Sequence, residues 1–275
     1  GSKPFFAYLA FTAPHWPLPA PDADIAKYEN RYDAGYDALR GERLERMKKL
    51  GLVPAATTAY RGHPHWPTWE RLPAEQKRSE ARRMAVYAAM VDHMDRQIGR
   101  VLKHLESSGE LDNTVVVFIS DNGADGNSVY DVARTREWIH KDMDNSTANL
   151  GRPGSFIEYG PGWAQVGSTP LNLYKSFMYE GGISVPAIFW SPRQGIAAQQ
   201  RTQVGHVMDI APTIYEMAGA RHPGASHQGR AILPVKGKSL VAYLQGKQAS
   251  AYGPNDVIGW ELGGRKALRK GDWKI

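Results

Sequence analysis

The feature that most constrains the fold is a long amphipathic segment followed at once by a wholly apolar one. From about Ala74 to Glu106 the apolar positions Met84, Tyr87, Val91, Met94, Ile98, Val101, Leu102 and Leu105 recur at spacings of three and four, and Gly109 follows as a stop. This spacing predicts one long helix. After the turn Leu111-Asp112-Asn113-Thr114 comes Val115-Val116-Val117-Phe118-Ile119, apolar throughout and rich in β-branched residues, as in a strand buried on both faces. A helix feeding a buried strand predicts an α/β fold with a mainly parallel central sheet flanked by helices.

Other segments fit that frame. Phe5 to Phe11 is a nearly continuous apolar run, predicted as a second buried strand, and it ends in the loop Thr12-Ala13-Pro14-His15-Trp16-Pro17. Residues 20–72, rich in Pro, Tyr, Trp and charge with a helical piece from Arg40 to Leu50, read as an excursion over a sheet edge that shapes a pocket or lid. Residues 124–172 read as loop. Val185 to Trp190, with Pro186 inside it, is a strand tolerated near an edge. Asp209 caps a helix to about Ala218, and Gly237-Lys238-Ser239 opens a shorter one through Leu244. Val257 to Trp260 and Ala267 to Ile275 form a hairpin around Gly263-Gly264. Residues 1–250 are expected to form one α/β domain, and 251–275 to begin a small antiparallel C-terminal one. Both ends look cut: Gly1-Ser2-Lys3-Pro4 lacks the build of a secretion signal and reads as a remnant joined to a strand.

Composition removes several classes of function. No stretch approaches the roughly 20 apolar residues of a membrane span. The net charge of +6, from 34 Lys and Arg against 28 Asp and Glu, favours anionic ligands. Those basic residues are spread along the chain, densest at 40–49 and 77–83, where they read as solvated helix faces; neither a nucleic-acid nor a membrane partner is expected. The absence of cysteine excludes disulfides, thiolate metal sites and a cysteine nucleophile within these residues. A Gly-rich phosphate loop, a Gly-x-Ser-x-Gly elbow and a His-Glu-x-x-His helix are absent too.

Chemistry in an open α/β sheet gathers beyond the carboxyl ends of its strands. Asp121 and Asn122 follow such an end. A carboxylate beside an amide carbonyl supplies hard oxygen ligands suited to Ca²⁺ or Mg²⁺, while Ser120-Asp121-Asn122-Gly123 would equally close the strand as an Asx-turn. His15, in its proline-flanked loop, can bond an anion or move a proton, or pack on Trp16. Lys175 can neutralise an oxyanion or lie exposed at a helix start. His206 and Asp209 read as a structural histidine and a cap. His63-Pro64-His65-Trp66 reads as an aromatic loop wall with metal-binding capacity, and Tyr60, Trp66, Trp69, Trp138 and Trp163 as an apolar wall for an aryl group.

Taken in order, the loop 12–17, Phe118-Ile119-Ser120-Asp121-Asn122-Gly123-Ala124, Lys175 with Glu180-Gly181-Gly182-Ile183-Ser184-Val185-Pro186, and His206-Val207-Met208-Asp209-Ile210-Ala211-Pro212-Thr213 resemble the bacterial arylsulfatases of the alkaline-phosphatase superfamily. The resemblance runs to Arg269-Lys270-Gly271-Asp272-Trp273-Lys274, which is similar to the strand opening that family's small C-terminal sheet, and covers the later half to two-thirds of a full sulfatase. It implies hydrolysis of small-molecule sulfate monoesters assisted by one calcium ion. Asp121 and Asn122 match the two later calcium ligands, and His15 and Lys175 the residues that grip the sulfate. The family's N-terminal Asp-Asp pair and its Cys-x-Pro-Ser-Arg motif, whose cysteine becomes the formylglycine nucleophile, are absent from this sequence. The calcium site is therefore expected to be incomplete, and the chain inactive alone, whereas its parent is active. Alternatives are a phosphonate or phosphate ester hydrolase of the same superfamily, told apart by the nucleophile motif, and a non-catalytic α/β binding module, which would have lost motif positions that are intact here. Oligomeric state, and bacterial cytoplasm or periplasm as the compartment of a soluble protein, stay open.

Overall fold

The computed structural model describes residues 3–64 and 66–275. Gly1 and Ser2, part of the expected remnant, and His65, part of the expected aromatic loop wall, lie outside the described residues. The chain divides into two units, Gly1–Lys103 with Asn122–Ser184, and His104–Asp121 with Val185–Ile275.

The first unit holds α1 (Asp22–Ile25), α2 (Gly35–Lys49), α3 (Ala74–Ser107, its last turn counted with the other unit), α4 (Ala133–Asp142), α5 (Gly160–Gly167) and α6 (Glu180–Ile183). The long helix of the sequence reading is α3. Its most buried positions are small ones, Ala81, Ala85, Val86 and Ala89, while Met84, Tyr87 and Met90 flank them half-buried. Small side chains let neighbouring backbone come close: a Cβ on Gly151 would lie 2.5 Å from a Val86 methyl.

Packed against this face is an aromatic core. Trp163 is fully buried, with Tyr36 and Trp69 edge-on to it at ring-centroid distances of 5.6 and 5.8 Å. Its indole N–H donates to the Glu80 carbonyl at 3.0 Å, and the Tyr36 hydroxyl donates to the Pro67 carbonyl. Trp69 and Trp163 are therefore core residues rather than the ligand wall the sequence suggests. Trp66 stacks on Tyr174 at 5.2 Å, and Trp138 meets Phe156 edge-on at 5.1 Å. Within the 20–72 excursion Ile25, Tyr36, Trp69 and Leu72 join the same core. At its start, Asp24 accepts from Arg96 at 2.5 Å and sits 3.0 Å from the His93 ring, fastening α1 to α3; the Arg96 guanidinium, then His93, hold its carboxyl well below the usual range.

In the second unit β1 (Val116–Ile119) pairs antiparallel with β2 (Ala187–Trp190), Val116 opposite Trp190 and Ile119 opposite Ala187. Pro186 falls just before β2, where its missing N–H costs no ladder bond. Then follow α7 (Ile210–Met217), the two-residue strands β3 (Ser226–His227) and β4 (Arg230–Ala231), and α8 (Val241–Leu244). The chain ends in the antiparallel meander β5 (Val257–Leu262), β6 (Arg265–Lys270) and β7 (Trp273–Lys274). Gly263 and Gly264, at φ of 57° and 81°, make the turn between β5 and β6 that L side chains resist. The α/β class and the small antiparallel C-terminal sheet stand as expected. Of the mainly parallel central sheet, the described residues contain one pair, β1 with β2, and it is antiparallel.

Residues 5–11 depart from expectation. They form no strand, and Phe6 and Tyr8 are 72% and 83% exposed. An apolar run records a preference for burial, but a strand also needs a partner's backbone groups, and no described strand runs beside this one. Among the described residues no helix is long and apolar enough to cross a membrane.

Candidate active site

The loop after residue 11 is turned by a hydrogen bond from the His15 N–H to the Thr12 carbonyl at 3.0 Å. His15 Nδ1 lies 2.6 Å from the Trp16 carbonyl, which can only accept, so that nitrogen carries the proton. Nε2 is then an acceptor, and it faces Lys175 Nζ, a group that can only donate, at 3.2 Å. The network thus places a proton on Nδ1 and turns Nε2 toward Lys175.

Lys175 is held from both sides. Its backbone N–H donates to the Ala124 carbonyl at 2.9 Å, beside a second clasp from the Gly123 N–H to the Gly182 carbonyl at 2.9 Å. These approaches require glycine: a Cβ on Gly123 would lie 1.8 Å from the Gly181 carbonyl oxygen, and one on Gly181 would lie 2.0 Å from that of Leu173. At the far end of the side chain, Nζ donates to Asp125 Oδ2 at 3.1 Å.

Asp125 is the residue that sequence reasoning missed. Its Oδ2 also accepts from the Trp16 indole N–H at 3.0 Å and lies 3.5 Å from His15 Nε2. Its Oδ1 accepts from the Asn127 backbone at 3.1 Å and side chain at 2.7 Å. The Asn127 amide donates onward to Ser176 Oγ at 3.1 Å. Burial alone would raise the Asp125 carboxyl, but the bonds from Asn127 and Lys175 together outweigh it and leave the group below its ordinary value. Exposure falls from 46% for the His15 side chain through 27% for Lys175 to 12% for Asp125, so the carboxylate sits beneath and the two basic groups face outward. Asp125 gives little away in the sequence, because its partners Trp16 and Lys175 are 109 and 50 residues distant. The Asp-x-Asn spacing of an Asx-turn at 125–127 was the readable signal.

Of the other candidate residues, Asn122 lies on the same turn, half-buried, and donates to the Gly123 carbonyl at 2.9 Å. Asp121 ends its segment with an exposed carboxylate. Their oxygens are of the kind calcium takes, but calcium takes about six to eight. Among the described residues no group of three or more His, Cys, Asp or Glu is placed to hold a metal. The donor chemistry fits and the donor number does not, so these residues do not make a calcium site by themselves. His206 and Asp209 are structural, as the sequence suggests. Asp209 is fully buried and accepts from the His206 N–H at 2.7 Å, the Lys238 N–H at 2.8 Å and the Tyr252 hydroxyl at 2.7 Å, while His206 Nδ1 accepts from the Met208 N–H.

These groups are carried by a chain that belongs to the sulfatase family: the family profile described as Sulfatase matches residues 1–220. Among its relatives is an uncharacterized sulfatase of Schizosaccharomyces pombe, 45% identical over 280 residues that cover 99% of this chain and 50% of that protein. An arylsulfatase of Klebsiella aerogenes is 39% identical over 254 residues, covering 90% of this chain and 53% of that one. The chain therefore spans about half the length of the curated relatives it matches. In fold it is similar to the crystal structure of Ps i-CgsB, with a TM-score of 0.54 at 22% identity over 98% of this chain and 40% of that one.

Proposed function

We propose that the protein to which this chain belongs hydrolyses sulfate monoesters, with His15 and Lys175 gripping the sulfate group. The observation that carries this reading is the meeting of His15 Nε2 and Lys175 Nζ at 3.2 Å across 160 residues of sequence. Two of the three ammonium protons go to His15 and Asp125, and the third is available to a sulfate oxygen. As the ester oxygen leaves, negative charge grows on it and on the sulfate, and a fixed ammonium in a half-buried site counters that charge without reorganising. His15 Nε2, when it has taken a proton from solvent, can donate that proton to the ester oxygen as its bond to sulfur breaks.

The same proposal makes Asp121 and Asn122 part of a calcium site completed elsewhere, residues 1–250 the later part of the catalytic domain, and 251–275 the start of a small C-terminal one. The nucleophile motif is absent from the chain both as Cys-x-Pro-Ser-Arg and as Ser-x-Pro-Ser-Arg, and the chain alone is expected to be inactive. The experiment is turnover of 4-nitrophenyl sulfate by the full-length protein, by the 275-residue chain, and by full-length Lys175→Ala and His15→Ala. The chain alone should show no turnover, and each substitution should lower kcat/KM by about 10²- to 10³-fold. A full-length protein that cleaves phosphate or phosphonate esters and leaves sulfate esters intact would sink the reading.

A further inference from the structure

Asp125 touches both halves of the proposed grip and is itself the least exposed of the three side chains. One carboxylate oxygen takes the Lys175 ammonium and the Trp16 indole, and thereby ties the loop that carries His15 to the turn that carries Lys175. The other oxygen is fixed by two donors from Asn127, whose amide also reaches Ser176, the neighbour of Lys175. Ser176 has a φ of 77°, a left-handed conformation that a serine adopts only when its surroundings hold it there. A flexible four-carbon side chain such as lysine's has many rotamers, and a carboxylate braced by four donors selects one of them.

We propose that Asp125 is a positioning residue of this site: it aims the Lys175 ammonium at His15 and at the bound sulfate oxygen, acting through Lys175 rather than on the ester. This rests on the sulfatase reading. Replacing the carboxylate by an amide removes one of its two oxygens as an acceptor. Asn at 125 can serve Asn127 or Lys175 and Trp16, but not both pairs, so the ammonium keeps its charge and loses its aim.

The test is a double-mutant cycle in the full-length protein with Asp125→Asn, Lys175→Ala and the pair together. The substrate is whichever of 4-nitrophenyl sulfate, 4-nitrophenyl phosphate and 4-nitrophenyl phenylphosphonate the wild type turns over fastest. Asp125→Asn should lower kcat by about 10- to 100-fold, the range a misplaced catalytic group costs, and should have less than a twofold effect once Lys175 is alanine. Asp125→Glu, which restores the charge on a longer stem, should recover part of the loss. It also keeps the question open to test if the asparagine variant folds poorly. Equal losses in the presence and absence of Lys175, or no loss at all in either variant at position 125, overturn the assignment. A wild type active only on the phosphorus esters overturns the sulfatase reading, and the cycle on that ester still decides the role of Asp125. A wild type inert toward all three overturns both.

Discussion

Glu80 shows how the core of this protein carries a pH dependence of its own. It lies on α3 with its side chain 22% exposed and its nearest cation, Arg83, 3.8 Å away. Burial pushes its carboxyl from an ordinary 4.5 up to about 6, with Arg83 only partly opposing the rise. The unfolded chain therefore gives up this proton first. Below about pH 4.5 the group is neutral in both states and costs nothing; between 4.5 and 6 ionisation penalises the folded state progressively, and above 6 the penalty is constant at roughly 2 kcal/mol. Glu80→Gln is expected to raise the urea midpoint at pH 8 and to match the wild type at pH 4; equal midpoints at both values would refute the assignment. Asp209, also buried, accepts from three donors. Asp209→Ala strands the backbone N–H groups of His206 and Lys238 and should cost about 2–4 kcal/mol in the same assay.

Among elements, two glycines separate what a backbone needs from what it tolerates. Gly99 lies inside α3 with no heavy atom within 4 Å of where its Cβ would be. Gly99→Ala is expected to stabilise by about 0.5–1 kcal/mol, read from the denaturation midpoint. Gly123→Ala drives a Cβ into the Gly181 carbonyl and should cost about 2–3 kcal/mol. The same physics explains what could be read in the sequence. α3 and β1 were legible to within a residue, 74–106 against Ala74–Ser107 and 115–119 against Val116–Ile119, because their periodicity is long or their apolar run unbroken. α4 and α5 were read as loop. α4 is mostly charged and polar, and α5 opens Gly160-Pro161-Gly162; what holds α5 is burial of Trp163, Ala164, Gln165 and Val166, a tertiary effect that no local pattern announces. In the site, His15 and Lys175 were legible as members of an ordered motif set. Asp125 was not, since the Asx-turn spacing at 125–127 announces only a turn and the side chains it braces lie 50 and 109 residues away.

For the whole molecule, exposed apolar surface is the property with the clearest consequence. Phe5, Phe6, Tyr8, Leu9 and Phe11 are exposed on a run without regular structure, and separately Ile188 and Trp190 of β2 are 58% and 40% exposed. Apolar, strand-ready segments with unpaired backbone recruit further chains. The 275-residue chain should therefore associate as its concentration rises, and Phe6→Lys with Ile188→Lys should shift sedimentation toward the monomer; a wild-type chain that sediments as a monomer throughout would contradict this. The net charge of +6 works against association and, at low salt, favours the arrival of anions.

The two backbone clasps, Gly123 to Gly182 and Lys175 to Ala124, close the base of an excursion of some fifty residues. A closed base fixes where the two ends of the excursion meet. On its α4, Arg134, Arg136 and Glu137 are exposed and can be exchanged with little effect on Lys175, whereas Ile139 of the same helix is buried. A scaffold built this way can vary the exposed residues of the excursion with the place of the lysine inherited unchanged.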